Sequence, residues 1–466
     1  MKVNKMRNNT LEKKEKIFLT CTLLTFLVIF IVLSQLLPML LWDENAYLSN
    51  ARSHTSSSAY TEDYKFPLLE WNVSLLWSIF GESLTLAKLL AIAFTLGTIA
   101  LTYIFGRRYL SFKYAALLTT LFAFSPLIMY WGFRVYSDIP AMFFVLLSFL
   151  LILKYDDTKN NWYFVAASIF AAFAFLERFT QGIFTICVLA YYLYKKDIKK
   201  IFIFAAIFLV TLSPWLIYNQ INYNNPVWDL QEQYILVQAW TSPEPAINQV
   251  SNLFTFNNPL IPLFMLAGVF YFLKKEKFSV MIVLYTSISF IYYIFFVNTK
   301  DSRYYLSFLP FIYLLAVYLL TIMNKAKNIR VRNLEKFIYH ALIILSAFVL
   351  LIHAGHIFSD SYCQKNQSVL KSIEYLGNAG YYGHNATIIS NAWPWYGYYL
   401  DANVSSSWDN NITRMVHNMN ADYVTYTNII GIEYNKNTLD DSTSLELEKT
   451  FKGNCNDITY VYKVKK

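Results

Sequence analysis

The sequence predicts an α-helical polytopic membrane protein with about eleven transmembrane helices and a small C-terminal extracytoplasmic α/β domain. Three observations carry this. The 466 residues are 56% hydrophobic and only 15% charged, with a mean hydropathy of +0.34. Apolar runs recur at lengths that cross a bilayer. The cations also alternate between loops, crowding one side and sparing the other.

Residues 1–16 are polar and basic, and 17–41 are apolar. That run is too long for the core of a secretory signal, so it reads as a retained first span with a cytoplasmic N-terminus. An outer loop follows at 42–83, and within it the Leu/Trp spacing of 67–80 suits an interfacial helix. Further spans are expected at about 84–105, 114–133, 138–153, 162–176, 179–194, 200–218, 258–273, 279–297, 303–323 and 337–358. The predicted inner segments carry clusters such as Arg107/Arg108/Lys113 and Lys195/Lys196/Lys199/Lys200. The outer loops hold Arg52, Lys65, Arg134, Arg178, Lys300 and Arg303. This is the positive-inside pattern, and it requires an odd number of spans and a C-terminus outside. The transmembrane domain is thus expected over 17–358, with a second outer loop at 219–257. The remainder, 359–466, has a soluble composition, with a helix at 368–376 and strands at 386–390, 422–426 and 458–464.

The formal net charge of +9 does not point to nucleic acid, because the basic residues are accounted for by topology. Cys363 and Cys455 lie in the polar C-terminal part, where an oxidising exterior would permit a disulfide. Asn-x-Ser/Thr sequons stand at Asn72, Asn366, Asn385, Asn403 and Asn411, all on the predicted outer side.

Chemistry is expected at the outer rim. Asp43 and Glu44 follow the first span directly, where two adjacent acids are costly unless solvated or used. Lys65 precedes Phe66-Pro67, and Arg303-Tyr304-Tyr305 opens the last third of the membrane part. Cations at headgroup depth can meet a lipid phosphate, although single ones commonly snorkel. Asp138, between Arg134 and Pro140, doubles as a candidate helix cap. A carboxylate base beside phosphate-holding cations suits group transfer from a lipid phosphate, which needs no strong general acid. No GxxxxGK[ST], GxGxxG, Cys-x-x-Cys or His-x-x-His spacing occurs. No residue demands a cofactor, while a carboxylate-bound divalent cation stays open.

Taken together, Asp43-Glu44, the Lys65-Phe66-Pro67-Leu68 turn, Arg134 to Pro140 and Arg303-Tyr304-Tyr305-Leu306 to Pro310 resemble the dolichyl-phosphate-mannose protein mannosyltransferase family, which includes the lipid A aminoarabinose transferases. The resemblance covers roughly 15–323. It departs at Phe66, where the family often has Pro, and in the spacing of Tyr305 from Pro310. It implies the GT-C membrane fold and inverting transfer of a sugar from a polyprenyl or dolichyl phosphate. The acceptor would be a hydroxyl of a glycan, protein or lipid. By resemblance Asp43 is the catalytic acid residue and general base, with Glu44 and Asp138 beside it. Lys65, Arg303, Tyr304 and Arg134 are the expected donor-phosphate contacts. The rival class is a transporter or flippase of lipid-linked sugars. Its charges would be expected at mid-membrane rather than on one rim.

Overall fold

The computed structural model describes residues 11–465 other than 241–243, 257, 276–278, 364–365, 407–411 and 429–438. Among these, six helices are long and apolar enough to cross a membrane: Lys13–Leu36, Leu84–Tyr109, Asp138–Thr158, Ile198–Tyr223, Ser302–Asn324 and Ile329–Gly355. Helices are what such sequences must form in lipid, because only they satisfy each backbone polar group within one segment. Shorter apolar helices, Phe112–Ala123, Asn161–Glu177, Phe179–Tyr194, Leu260–Val269 and Val280–Phe295, occupy the other predicted spans.

The chain divides into two compact units. The first comprises Met1–Val32, Phe66–Leu69 and Lys88–Ala354. Its centre is the Ser302–Asn324 segment, 89% buried over its most apolar stretch, whereas Ile198–Tyr223 and Ile329–Gly355 are 17% and 11% buried. Apolar side chains left open on that scale have lipid as their natural solvent. Asp138–Thr158 packs along Asn161–Glu177, and Leu260–Lys275 along Leu309–Asn324. In the second pair Gly268 lets the backbones touch, since a Cβ there would collide with the Leu315 carbonyl. We therefore expect Gly268→Ala to force the helices apart and cost about 1–3 kcal/mol. A lowered thermal unfolding midpoint in detergent would be the sign, and an unchanged midpoint would contradict this close packing.

One expectation needs correction. The span expected at 114–133 is broken: Phe112–Ala123 ends, and a short helix Pro126–Trp131 begins after Ser125, whose Oγ accepts from the Ile128 N–H at 3.3 Å. Pro126 is the cause, since it disfavours helical backbone before it and suits a first turn. The segment expected as the outer loop 219–257 contains helices Trp228–Trp240 and Ala246–Thr255.

The second unit joins Leu33–Lys65 and Glu70–Ala87 to Gly355–Lys466. Its sheet has strands β1 (Thr387–Ser390), β2 (Asn403–Ser406), β3 (Tyr423–Thr427), β4 (Leu445–Lys452) and β5 (Ile458–Val464) in the order β2-β1-β3-β5-β4. β1 runs parallel to β2 and β3, while β5 is antiparallel to β3 and β4. Helix Trp393–Leu400 is the aromatic run of the sequence, and it is core: Trp395 and Tyr396 pack with Val369, Ile388 and Val461. Trp42 meets Trp393 edge-on at 4.4 Å, and the Trp395 indole N–H donates to the Leu40 carbonyl at 3.2 Å. Arg52 adds a two-pronged pair with Glu82, a bond to the Tyr398 carbonyl and a place on the Tyr398 ring. The expected Cys363–Cys455 pairing involves a Cys363 side chain outside the described residues, as does Asn411 among the sequons.

Candidate functional site

In the second unit, Asp43 and Glu44 do not lie in a loop as expected; they open the helix Trp42–Ser53. Acids in a first turn complement the helix dipole. Glu44 is fully buried and turns back, its Oε2 accepting from the Leu41 N–H at 2.8 Å. Its geometry is that of half a capping box. Asp43 points elsewhere and keeps 20% of its side chain open.

Lys65 meets Asp43 there, its Nζ donating to Oδ1 at 2.8 Å. The same ammonium lies 3.3 Å from Glu62 Oε2. Tyr47 and Tyr64 present ring faces to it at 5.7 and 5.2 Å. Burial works against the Lys65 charge, yet Asp43, Tyr64 and Glu62 together hold it well above the usual lysine range. Glu62 is 4% exposed and is heavily bonded: Tyr60 OH donates to it at 2.5 Å and Tyr64 OH at 2.7 Å. Its backbone is clamped by Asn50, which accepts from the Glu62 N–H at 2.8 Å and donates to the Glu62 carbonyl at 3.0 Å. Asn50 also donates to Glu70, which pairs with His54 at 3.2 Å. The hydrogen bond to Glu70 raises the pKa of His54. Burial raises that of Glu70, with His54 and Asn50 pulling it back. Sequence reasoning named Asp43 and Lys65 and passed over Glu62, Asn50, Glu70 and His54. The one available signal was Glu62-Asp63-Tyr64 directly before Lys65.

The first unit holds its own polar group. Asp138, 1% exposed at the start of its helix, pairs with Arg178 Nη1. Arg178 leaves the end of Asn161–Glu177 in extended backbone, φ −158°, and pairs with Asp138 across the fold. The Arg178 guanidinium also lies 5.2 Å from the Tyr304 ring, which stacks on Tyr293 at 5.0 Å. Arg303 Nε stands 2.9 Å from Asp301 Oδ2, with Tyr136 at 5.2 Å and Trp131 at 5.9 Å from its guanidinium. Arg134 instead lies against Tyr130 and Phe133, at 4.7 and 5.2 Å. Beneath, Tyr293 OH donates to Thr180 and Tyr285 OH to Gln181, and both hydroxyls also contact Ser307. These bonds tie the Arg178 turn to the Arg303 turn. In the sequence the acid next to Arg178 is Glu177. The observed partner of Arg178 is Asp138, forty residues away.

Among the described residues no group of three or more His, Cys, Asp or Glu stands together as a metal site. His353 bonds the Val349 carbonyl at 2.9 Å and lies on Phe256, and the His356 side chain is outside the described residues.

Comparison with known proteins places this arrangement in a fold. A family model described as dolichyl-phosphate-mannose-protein mannosyltransferase matches residues 64–218, from the Lys65 turn onward. The crystal structure of ArnT from Cupriavidus metallidurans bound to undecaprenyl phosphate is similar with a TM-score of 0.69 at 11% identity, over 95% of this chain and 98% of that one. Its apo state gives 0.66 at 11% identity and the same coverage. The Archaeoglobus fulgidus oligosaccharyltransferase in complex with Zn and sulfate gives 0.59 at 12% identity, over 86% of this chain and 67% of that one. No curated protein matches the chain. The chain thus has the GT-C fold, with a small C-terminal sheet.

Proposed function

We propose that this chain is a membrane glycosyltransferase that moves a sugar from a polyprenyl or dolichyl phosphate to an acceptor hydroxyl outside the cytoplasm, with inversion. The observation that carries the reading is the Asp43–Lys65 pair: a partly open carboxylate bonded at 2.8 Å to a buried ammonium. Glu44 and Glu62 are buried, so of the two carboxylates paired with Lys65 it is Asp43 that stays partly open to an acceptor. The family match from residue 64 and the likeness to ArnT bound to undecaprenyl phosphate support the same donor class.

In this reading Asp43 takes the proton of the acceptor hydroxyl as its oxygen attacks the anomeric carbon. The bond from that carbon to the phosphate oxygen breaks on the opposite face. The electron pair leaves with the lipid phosphate, which gains one negative charge. Lys65 supplies a point charge for that phosphate, and the family resemblance alone carries a phosphate-contact role to Arg303, Tyr304 and Arg134. Asp138 fixes Arg178 against the Tyr304 ring, and Glu44 fixes the helix start that carries Asp43. The substrate partners are the lipid-linked donor, membrane lipids and a hydroxyl acceptor on glycan, protein or lipid.

Charge-assisted hydrogen bonds to a phosphate are worth about 1.5–3 kcal/mol each. Lys65→Met and Arg303→Met should therefore each weaken binding of undecaprenyl phosphate by roughly tenfold or more, read by native mass spectrometry in detergent. Equal binding by wild type and both variants would remove the proposed phosphate contacts.

A further inference from the structure

We propose that Glu62 is a positioning residue that shares the Lys65 ammonium with Asp43 and thereby keeps Asp43 a competent base. The inference rests on the reading of Asp43 as base and extends it to a residue with no substrate contact of its own. Three features of the geometry support it. Lys65 Nζ stands between two carboxylates, 2.8 Å from Asp43 and 3.3 Å from Glu62. Glu62 is not a loose surface acid, for both of its oxygens accept tyrosine hydroxyls and its backbone is held both ways by Asn50. Asp43 is the more open of the two.

The physical problem is one of balance. A carboxylate locked to a single lysine is easily kept ionised but holds a proton poorly. A second carboxylate on the same lysine divides that field and adds repulsion, which returns proton affinity to Asp43. Tyr60 and Tyr64 each donate a hydroxyl hydrogen bond to Glu62 and so hold its carboxylate in place beside Lys65. Among the described contacts, Tyr47 from the Asp43 helix also faces Lys65, while Asp63 acts on Glu70 and His54, which are reached through Asn50. Of these, His54 is engaged by Glu70 at 3.2 Å.

The test uses the full chain in detergent or liposomes and has two readouts. Carbodiimide labelling of Asp43, followed by peptide mass spectrometry across pH, reports its protonation without needing turnover. In Glu62→Gln, which preserves shape, the labelling midpoint should fall by about one pH unit. In Tyr60→Phe, which leaves the Glu62 charge less offset, it should rise. The acidic limb of the transfer rate should follow the labelling midpoint. The plateau rate of Glu62→Gln should drop roughly three- to tenfold, with donor KM within twofold. A midpoint that stays put in both variants overturns the inference, as does a lower rate with an unshifted limb, the mark of a purely structural role. A midpoint that shifts while the kinetic limb ignores it preserves the Glu62–Asp43 linkage and instead overturns Asp43 as base.

Discussion

Asp43→Asn is expected to lower the transfer rate constant by about two to four orders of magnitude, the usual contribution of a general base. The substitution keeps the size of the side chain and a carbonyl oxygen for Lys65, so the 2.8 Å contact has a replacement. What disappears is the negative charge and the site for the acceptor's proton. Because Lys65 then has one fewer carboxylate against it, donor affinity should stay equal or rise. The signature is therefore a fall in kcat with an unchanged or lower donor KM, measured with protein that reaches the membrane at wild-type levels. A rate within threefold of wild type would remove Asp43 from the mechanism. A matching rise in KM would recast it as a binding residue.

The second large effect concerns stability. Asp138 is 1% exposed and Arg178 16% exposed, so removal of either leaves the other's charge in a poorly solvated place. Breaking a buried pair by deleting one partner costs about 3–5 kcal/mol, whereas replacing both with apolar side chains is far cheaper. Arg178→Met alone should thus lower the unfolding midpoint and the folded yield strongly, and Arg178→Met/Asp138→Leu should recover much of both. Transfer activity should remain low in the double variant, because Tyr304 loses the cation held against its ring. If the double variant is no more stable than Arg178→Met, the pair contributes specific geometry beyond charge neutralisation.

The membrane part was largely readable because lipid imposes one rule, a long apolar helix, and the charge pattern orders the rest. Reading failed where local chemistry overrode hydropathy. Ser125-Pro126 splits what hydropathy presents as one span. In the C-terminal unit, β5 was legible from its alternation over 458–464. β4 was missed because Leu-Glu-Leu-Glu-Lys-Thr-Phe-Lys is an edge strand, half of it charged and most of it exposed, which resembles a solvated loop.

The polar groups divide similarly. Asp43 and Lys65 were visible as rare charges at a membrane mouth. Their contact was not, since twenty-two positions separate them and only the fold closes the gap. Glu62 carried only a weak signal, its place in Glu62-Asp63-Tyr64 before Lys65, because an acid in an outer loop is ordinary until it is found buried under two tyrosines. Arg178 was visible as an outer-side cation, but its partner was not: Asp138 lies forty residues away, and the extended backbone at Arg178 directs the side chain to it.

The most direct measurement is a transfer assay on the purified chain in liposomes, given a panel of undecaprenyl- and dolichyl-phosphate sugars and hydroxyl acceptors, with mass spectrometry of every product. The account predicts that at least one donor yields free polyprenyl phosphate and a glycosylated acceptor in equal amounts, with the anomeric configuration inverted. Recovery of every lipid-linked sugar intact, merely moved from one leaflet to the other, would contradict it and make the chain a transporter.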